Sequence, residues 1–300
     1  MKQIIITGNE SEQRLDRFLL KYFNNTTRSN IYKLIRKKVF KINGKRITQE
    51  DYFLKEADVL DIFLSDESMA AMMKVYEPIK PSKLGLDTVY EDDQILVVNK
   101  PKGMLTHPDQ TEYKNTLATI VQFYLKDLST PTFKPAPVHR LDKNTSGLVI
   151  FAKTYEALKK YNALMRERNV EKYYICVVHG RLKQSGEVKG YLVKDEYLNK
   201  VSIQDEDQDD AKYCHTKYKP LKAFGTYTLV EVQLMTGRSH QIRATMQYIG
   251  HPIVGDLKYG GRRVAGNSNQ LLHSNRLIVE GQRFEAPSIE IEAFIKSQSE

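Results

Sequence analysis

Six short strand-like runs, at residues 94–99, 148–152, 173–178, 212–218, 227–234 and 277–280, limit what this chain can fold into more than any other feature of its sequence. Two clear helical stretches stand among them. Residues 154–167 place Leu158, Tyr161, Leu164 and Met165 on one face. A second stretch starts near His240 and stops at Gly250, a residue suited to the left-handed position that follows a helix. Strands dominate, so the reading is an α+β fold with a largely antiparallel sheet.

The first quarter of the chain has a different texture. Leu15, Phe18, Leu19 and Tyr22 recur at helical spacing, and Thr27 or Ser29 is placed to cap a second helix carrying Ile31, Leu34 and Ile35. Then comes Asn43-Gly44 between apolar-alternating arms, a hairpin signal because both residues tolerate positive φ. A further strand is read at 60–64. Arg28, Lys33, Arg36, Lys37, Lys38, Lys41, Lys45 and Arg46 fall in this stretch with no acidic residue among them, which makes one positive face. Residues 66–88, with a Met cluster, Pro78 and Pro81, show no sustained period and read as a linker. At 300 residues the chain exceeds one usual domain, so the division is 12–65, a linker at 66–88, and 89–300. The acidic run 205–210 reads as a solvated loop.

A formal net charge of +9 favours a polyanionic partner, because basic side chains that neutralise phosphates release condensed counterions. Other chemistries lack support. The seven histidines show no His-x-x-x-His or Glu-x-x-His spacing, and Cys176 and Cys214 stand far apart, so no metal is expected. Neither a Gly-x-Gly-x-x-Gly loop, a Walker loop nor a Gly-x-Ser-x-Gly elbow occurs. No apolar run approaches a membrane span or a signal segment, and the two lone cysteines fit a cytoplasmic protein.

What remains is His139-Arg140-Leu141-Asp142-Lys143, directly before the apolar strand at 148–152. A carboxylate on a loop at a strand edge, beside Arg140 and Lys143, is expected to stay ionised and to be available for attack. The same Asp142 could instead cap the amides of Thr145 or Ser146 in a turn. These residues alone leave both open.

The longer string from Pro137 to Gly147 resembles the catalytic motif of the RluA family of pseudouridine synthases, and the likeness runs through most of 89–287. It is carried also by Asn99-Lys100-Pro101-Lys102-Gly103, Glu171-Lys172-Tyr173-Tyr174, Thr236-Gly237-Arg238-Ser239-His240-Gln241-Ile242-Arg243, Gly250 to Asp256, and Leu271-Leu272-His273. Asn144 stands where the family often has an acid, and Ser274 where alanine is usual. The first quarter resembles the RNA-binding module of ribosomal-protein-S-four type, whose second helix and following turn contact phosphates. That assigns Arg28, Lys33, Arg36, Lys37, Lys38, Lys45 and Arg46 to RNA. Gln13-Arg14-Leu15-Asp16 and Ser29-Asn30-Ile31-Tyr32 lean toward the RluC branch.

The resemblance implies isomerisation of uridine to pseudouridine in RNA, with large-subunit ribosomal RNA as substrate. Transfer RNA, or a non-catalytic RNA-binding role, is the alternative. The reaction moves the base from N1 to C5 at C1′, so no cofactor is implied, and a monomer is expected. Asp142 is implied as the nucleophile, with Arg238 in a salt bridge to it. Tyr174 is implied to stack on the base and to help remove the C5 proton, although a core role is open to it because it shares a strand face with Cys176. Leu234 packs on the uracil, His139 lies at the substrate, and Arg140 fills the gap left by an extruded nucleotide, which a planar guanidinium does better than an ammonium.

Overall fold

The computed structural model describes residues 1–74, 79–82, 85–207, 209–264 and 269–298. Part of the expected linker, including Pro78, and position 208 of the acidic run lie outside the described residues.

The first seventy residues form a small layer of helices on a sheet. Strands β1 (Lys2–Ile5), β2 (Phe40–Ile42), β3 (Lys45–Arg46) and β4 (Val59–Ile62) pair in the order β1-β4-β2-β3. Helices α1 (Leu15–Tyr22) and α2 (Arg28–Arg36) bury Leu15, Phe18, Leu19, Ile31 and Ile35 against Phe40, Leu60 and Ile62. The expected local signals operate. Thr27 caps α2 by accepting from the Asn30 amide, and Asn43 and Gly44 both take positive φ, at 51° and 77°, to turn the hairpin. Strand β1 precedes the 12–65 span, and a short helix α3 (Asp66–Ala71) occupies the start of the expected linker, where Met69 packs on this same core.

The large domain is built on a sheet of eleven strands among the described residues. They are β5 (Thr88–Glu91), β6 (Ile95–Lys100), β7 (Ala136–Pro137), β8 (Ser146–Ala152), β9 (Val170–His179), β10 (Gly186–Asp195), β11 (Lys200–Gln204), β12 (Lys212–Phe224), β13 (Tyr227–Leu234), β14 (Leu272–Val279) and β15 (Gln282–Glu285). The main path is β11-β10-β12-β13-β9-β14-β8-β6-β5, antiparallel except where β14 meets β8. Helices α4 (Leu117–Tyr124) and α6 (Gln241–Tyr248) cover one face, and α5 (Tyr155–Arg166) covers the other. Helix α7 (Ile289–Ser297) closes an end with Ile291 and Phe294.

Burial on both faces explains the unbroken apolar runs. In β6, Leu96 and Val98 enter the core under α4 and α6, while Ile95 and Val97 enter the core under α5; in β8, Val149 and Phe151 divide from Leu148 and Ile150 in the same way. Strands β10 and β11 escaped the sequence reading because Gly186 and Gly190 take inward positions of β10, β11 has only two buried residues, and the tip between them, around Tyr197, is exposed.

Two features fix the region near residue 142. Where β8 and β14 run parallel, Gly147 pairs with Ser274 at φ 116°, and a Cβ there would stand 2.3 Å from the Ser274 carbonyl oxygen. The small module is also tied to the large domain. The buried Glu10 carboxylate accepts from the Thr130 and Thr132 hydroxyls at 3.1 and 3.0 Å, and Asn9 Oδ1 accepts from the Tyr155 amide.

Candidate active site

Asp142 sits in the loop that leads into β8, and the segment following β6 pins that loop. The Thr106 hydroxyl donates to the Leu141 carbonyl at 3.0 Å and accepts from the Leu141 amide at 3.2 Å. The Gly103 amide donates to the Lys143 carbonyl. Lys100, with no exposed surface, spends its three donors on the carbonyls of Pro101, Met104 and Lys143. Burial pulls the Lys100 ammonium down to about 7, against the opposing pull of the Asp142 charge. The turn is closed by the Thr145 amide donating to the Asp142 backbone carbonyl, so the carboxylate is left to face the cleft, 26% exposed. The capping alternative is therefore not the one adopted.

Two cationic or potentially cationic groups flank that carboxylate. Arg243 Nη1 and His240 Nε2 each stand 3.8 Å from Asp142 Oδ2. The resemblance placed Arg238 there, and the geometry corrects it. Arg238 lies in the exposed turn before α6 and sends its Nε to the Tyr213 carbonyl at 3.3 Å, whereas Arg243 lies inside α6, whose residues 241–246 are all buried. Arg243 is fixed from behind by Asp256, which accepts at 2.6 and 2.7 Å, and by the Tyr259 ring below its guanidinium. His240 takes a left-handed backbone at φ 55°, and its Nδ1 is 2.9 Å from the Tyr259 hydroxyl.

The cleft has two parts that share Arg140, Asp142, Tyr174, Leu234 and Arg238 as walls. A recess of about 60 Å³ lies against Arg243 and Leu272, and a groove of about 460 Å³ runs past Arg166, Arg168 and Lys172. Tyr174, on β9, is buried, and both its burial and the Asp142 charge push its phenol well above the ordinary range. It therefore carries its proton and offers a flat face and an O–H rather than a phenolate. Leu234 ends β13 opposite Lys172, so sheet register delivers it to the same wall. Arg140 is exposed, with no hydrogen bond or ion pair among the described residues. His139 also borders the groove, but its Nε2 accepts from the Ile150 amide at 3.2 Å. Burial first, and then the Lys172 charge, push that imidazole down to about 3, so it serves the strand as a neutral acceptor. The seven basic residues assigned to RNA are all exposed on α2, the turn after it and β3.

Sequence reasoning thus brought Asp142, Tyr174, Leu234, Arg140 and Arg238 to one cleft but missed Arg243, Asp256, His240 and Lys100. A signal existed for two of them. Arg243 stands between Ile242 and Ala244 in a helix, and Lys100 ends β6 two positions after the apolar run Ile95-Leu96-Val97-Val98, and a charge in such a setting must be paired or hydrogen-bonded.

A family model described as RNA pseudouridylate synthase matches residues 94–248, and one for the S4 domain matches 13–60. The chain is 32% identical over 296 residues to an uncharacterized RNA pseudouridine synthase of Mycoplasma capricolum, covering 96% of this chain and 94% of the relative. It is 33% identical over 300 residues to the ribosomal large subunit pseudouridine synthase C of Vibrio parahaemolyticus, with coverage of 96% and 91%. The ribosomal large subunit pseudouridine synthase D of Borreliella burgdorferi is 31% identical over 285 residues, with coverage of 91% and 84%. In three dimensions, human RNA Pseudouridylate Synthase Domain Containing 4 superposes with a TM-score of 0.59 at 21% identity, covering 70% of this chain and 92% of its own, which shows a shared fold. With a cleft arranged around one loop carboxylate and sequence relatives that span nearly its whole length, the chain belongs to the RNA pseudouridylate synthase family and is an isomerase acting on RNA.

Proposed function

We propose that this enzyme isomerises uridine in large-subunit ribosomal RNA, with Asp142 as the nucleophile that forms or stabilises the covalent intermediate. The observation that carries the assignment of Asp142 is its placement. Its carboxylate is the acidic group of a cleft whose lining includes Arg140, Arg238, Arg243, the Tyr174 ring and Leu234. The N1–C1′ bond breaks, the base turns, C5 bonds to C1′, and the proton lost from C5 is balanced by one gained at N1. The base itself is retained and no water enters at C1′, so one carboxylate suffices where a hydrolase needs two.

In this reading Tyr174 stacks on the uracil from the buried side and Leu234 packs its edge, while Arg140, exposed and unpaired, enters the helix in place of the extruded nucleotide. Unstacking a base costs a few kcal/mol, which such an insertion offsets. The basic face on α2 and β3 holds neighbouring RNA. The choice of large-subunit RNA is supported by the names of the relatives from Vibrio parahaemolyticus and Borreliella burgdorferi and by the module matched at 13–60.

Asp142→Asn is expected to abolish tritium release from RNA labelled at uracil C5 while RNA binding persists; normal release would refute the nucleophile. Mapping pseudouridine in ribosomal and transfer RNA from cells with and without the gene tests the substrate. Sites lost only from transfer RNA would overturn the ribosomal assignment.

A further inference from the structure

Several cations of the large domain have an acidic partner. Lys102 pairs with Glu290, Lys153 with Glu91, Lys160 with Glu280 and Arg276 with Glu231. The groove beside Asp142 is different. Arg140, Arg166, Arg168, Lys172 and Arg238 line it, Asp142 is its acidic residue, and none of the five cations has an anionic partner among the described residues. Arg166 and Arg168 project from the end of α5, where Arg168 turns the chain in a left-handed conformation.

Lys172 is the unusual member of the set. It is not a solvated surface lysine. It lies on β9 between the buried Val170 and Tyr174, is partly buried itself, and makes no hydrogen bond or ion pair through its ammonium among the described residues. Burial, and then the charge of Arg168, pull its proton affinity down. The facing wall is Gly237, and a Cβ built there would stand 3.3 Å from the Lys172 ammonium, so a bare backbone leaves that head group its position. An ammonium held half out of water beside another cation, with no acceptor, costs stability in the free protein. The arrangement makes sense if the acceptor arrives with the substrate.

We infer that Lys172 is the anchor for a backbone phosphodiester of the RNA strand next to the target uridine, with Arg168 and Arg166 continuing the phosphate track along the end of α5. This rests on the reading that the uridine enters the cleft at Asp142. Sheet register supports the placement, because Lys172 lies two residues before Tyr174 on the same strand face and opposite Leu234, so a phosphate on its ammonium adjoins a base held between those two.

The test compares the wild-type chain with Lys172→Met and Lys172→Arg, using an unmodified transcript of large-subunit ribosomal RNA as the probe. Binding is titrated across a range of salt concentrations in the Asp142→Asn background, and tritium release is followed in the Asp142 background. Lys172→Met should bind roughly tenfold more weakly at low salt, and its slope of log K against log salt should be shallower by about 0.7, the value for one phosphate on a single strand. Its melting temperature should be equal or higher, because the methionine keeps the apolar stem and removes an unpaired charge. Lys172→Arg should keep the slope. An unchanged slope in Lys172→Met, or a slope lost equally in Lys172→Arg, would overturn the inference. If Lys172→Met does not fold, Arg168→Ala is to be read in the same way, and a slope it leaves unchanged counts against the track. Should the wild type release no tritium from this transcript while the slope still falls in Lys172→Met, the failure belongs to the proposed substrate and not to the phosphate contact.

Discussion

Asp256 holds the guanidinium of Arg243 through two short hydrogen bonds, at 2.6 and 2.7 Å, and by doing so leaves Nη1 aimed at the carboxylate of Asp142, 3.8 Å away. A rigid fork is what makes this relay work, since one planar group serves two carboxylates at once. Asp256→Asn is therefore expected to lower kcat/KM by roughly 100-fold through misplacement of Arg243, and to cost about 3 kcal/mol of stability by taking from a buried cation the carboxylate that holds it through two short hydrogen bonds. Arg243→Lys should not restore activity. Tritium release and denaturant melts measure the two effects, and an Asp256→Asn enzyme of full activity would refute the positioning role.

The Tyr259 hydroxyl accepts from the Val201 amide, and because the Asp142 carboxylate favours hydrogen on the His240 Nε2 that faces it, Nδ1 is left to accept from that hydroxyl. The neutral ring then carries hydrogen on Nε2, the atom that faces Asp142. Burial and the Arg243 charge hold His240 below its ordinary value, with Asp142 pulling the other way, so the ring is neutral at pH 7 and protonates only on the acid side of 6.5. A protonated ring pairs with Asp142 and weakens it as a nucleophile, which places an acid limb of kcat below pH 6.5. Tyr259→Phe removes a bond that favours the neutral ring and should move that limb upward by about one pH unit. A pH–rate profile superposable on that of the wild type would count against this arrangement.

His139, pushed down to about 3 against an unfolded value of 6.5, binds fewer protons when folded throughout that interval. Stability contributed by the neutral ring is therefore complete above pH 6.5 and is lost as pH falls toward 3, with a slope of at most about 1.4 kcal/mol per pH unit. His139→Gln retains an acceptor for the Ile150 amide and cannot charge. Its urea midpoint should vary less between pH 6.5 and 4.5 than that of the wild type, and parallel curves would reject the assignment.

On the small module, Arg36, Lys37 and Lys38 are exposed, so their removal leaves the core of the module intact. Replacing all three by alanine should leave the melting temperature nearly unchanged and flatten the salt dependence of RNA binding by about 0.7 to 0.9 for each phosphate no longer neutralised. Equal slopes for mutant and wild type would assign the face to solvent.

Periodicity made visible the elements whose burial repeats regularly. Helix α5, the central strands and the Asn43-Gly44 turn fall where spacing and turn chemistry put them. Strands β10 and β11 were opaque because Gly186 and Gly190 take two inward positions of β10 and because β11 has only two buried residues, and α4 was opaque because residues 117–121 are buried together, which erases the helical stripe. At the site, Asp142 was legible because a motif surrounds it. The partner of its carboxylate was not. Arg238 and Arg243 lie in one short string, and only the turn at His240, which sends the first outward and the second inward, decides between them.

Gly147 carries no side chain, yet it sets how far the reactive carboxylate reaches. With β8 and β14 in contact backbone to backbone at Ser274, and the loop start held by Thr106, the tether from Asp142 to the sheet has no slack at either end. Redesign of the cleft walls to admit a different pyrimidine will therefore change what fits without changing where the attacking oxygen waits, and the new ring will have to be brought to that point rather than met by it.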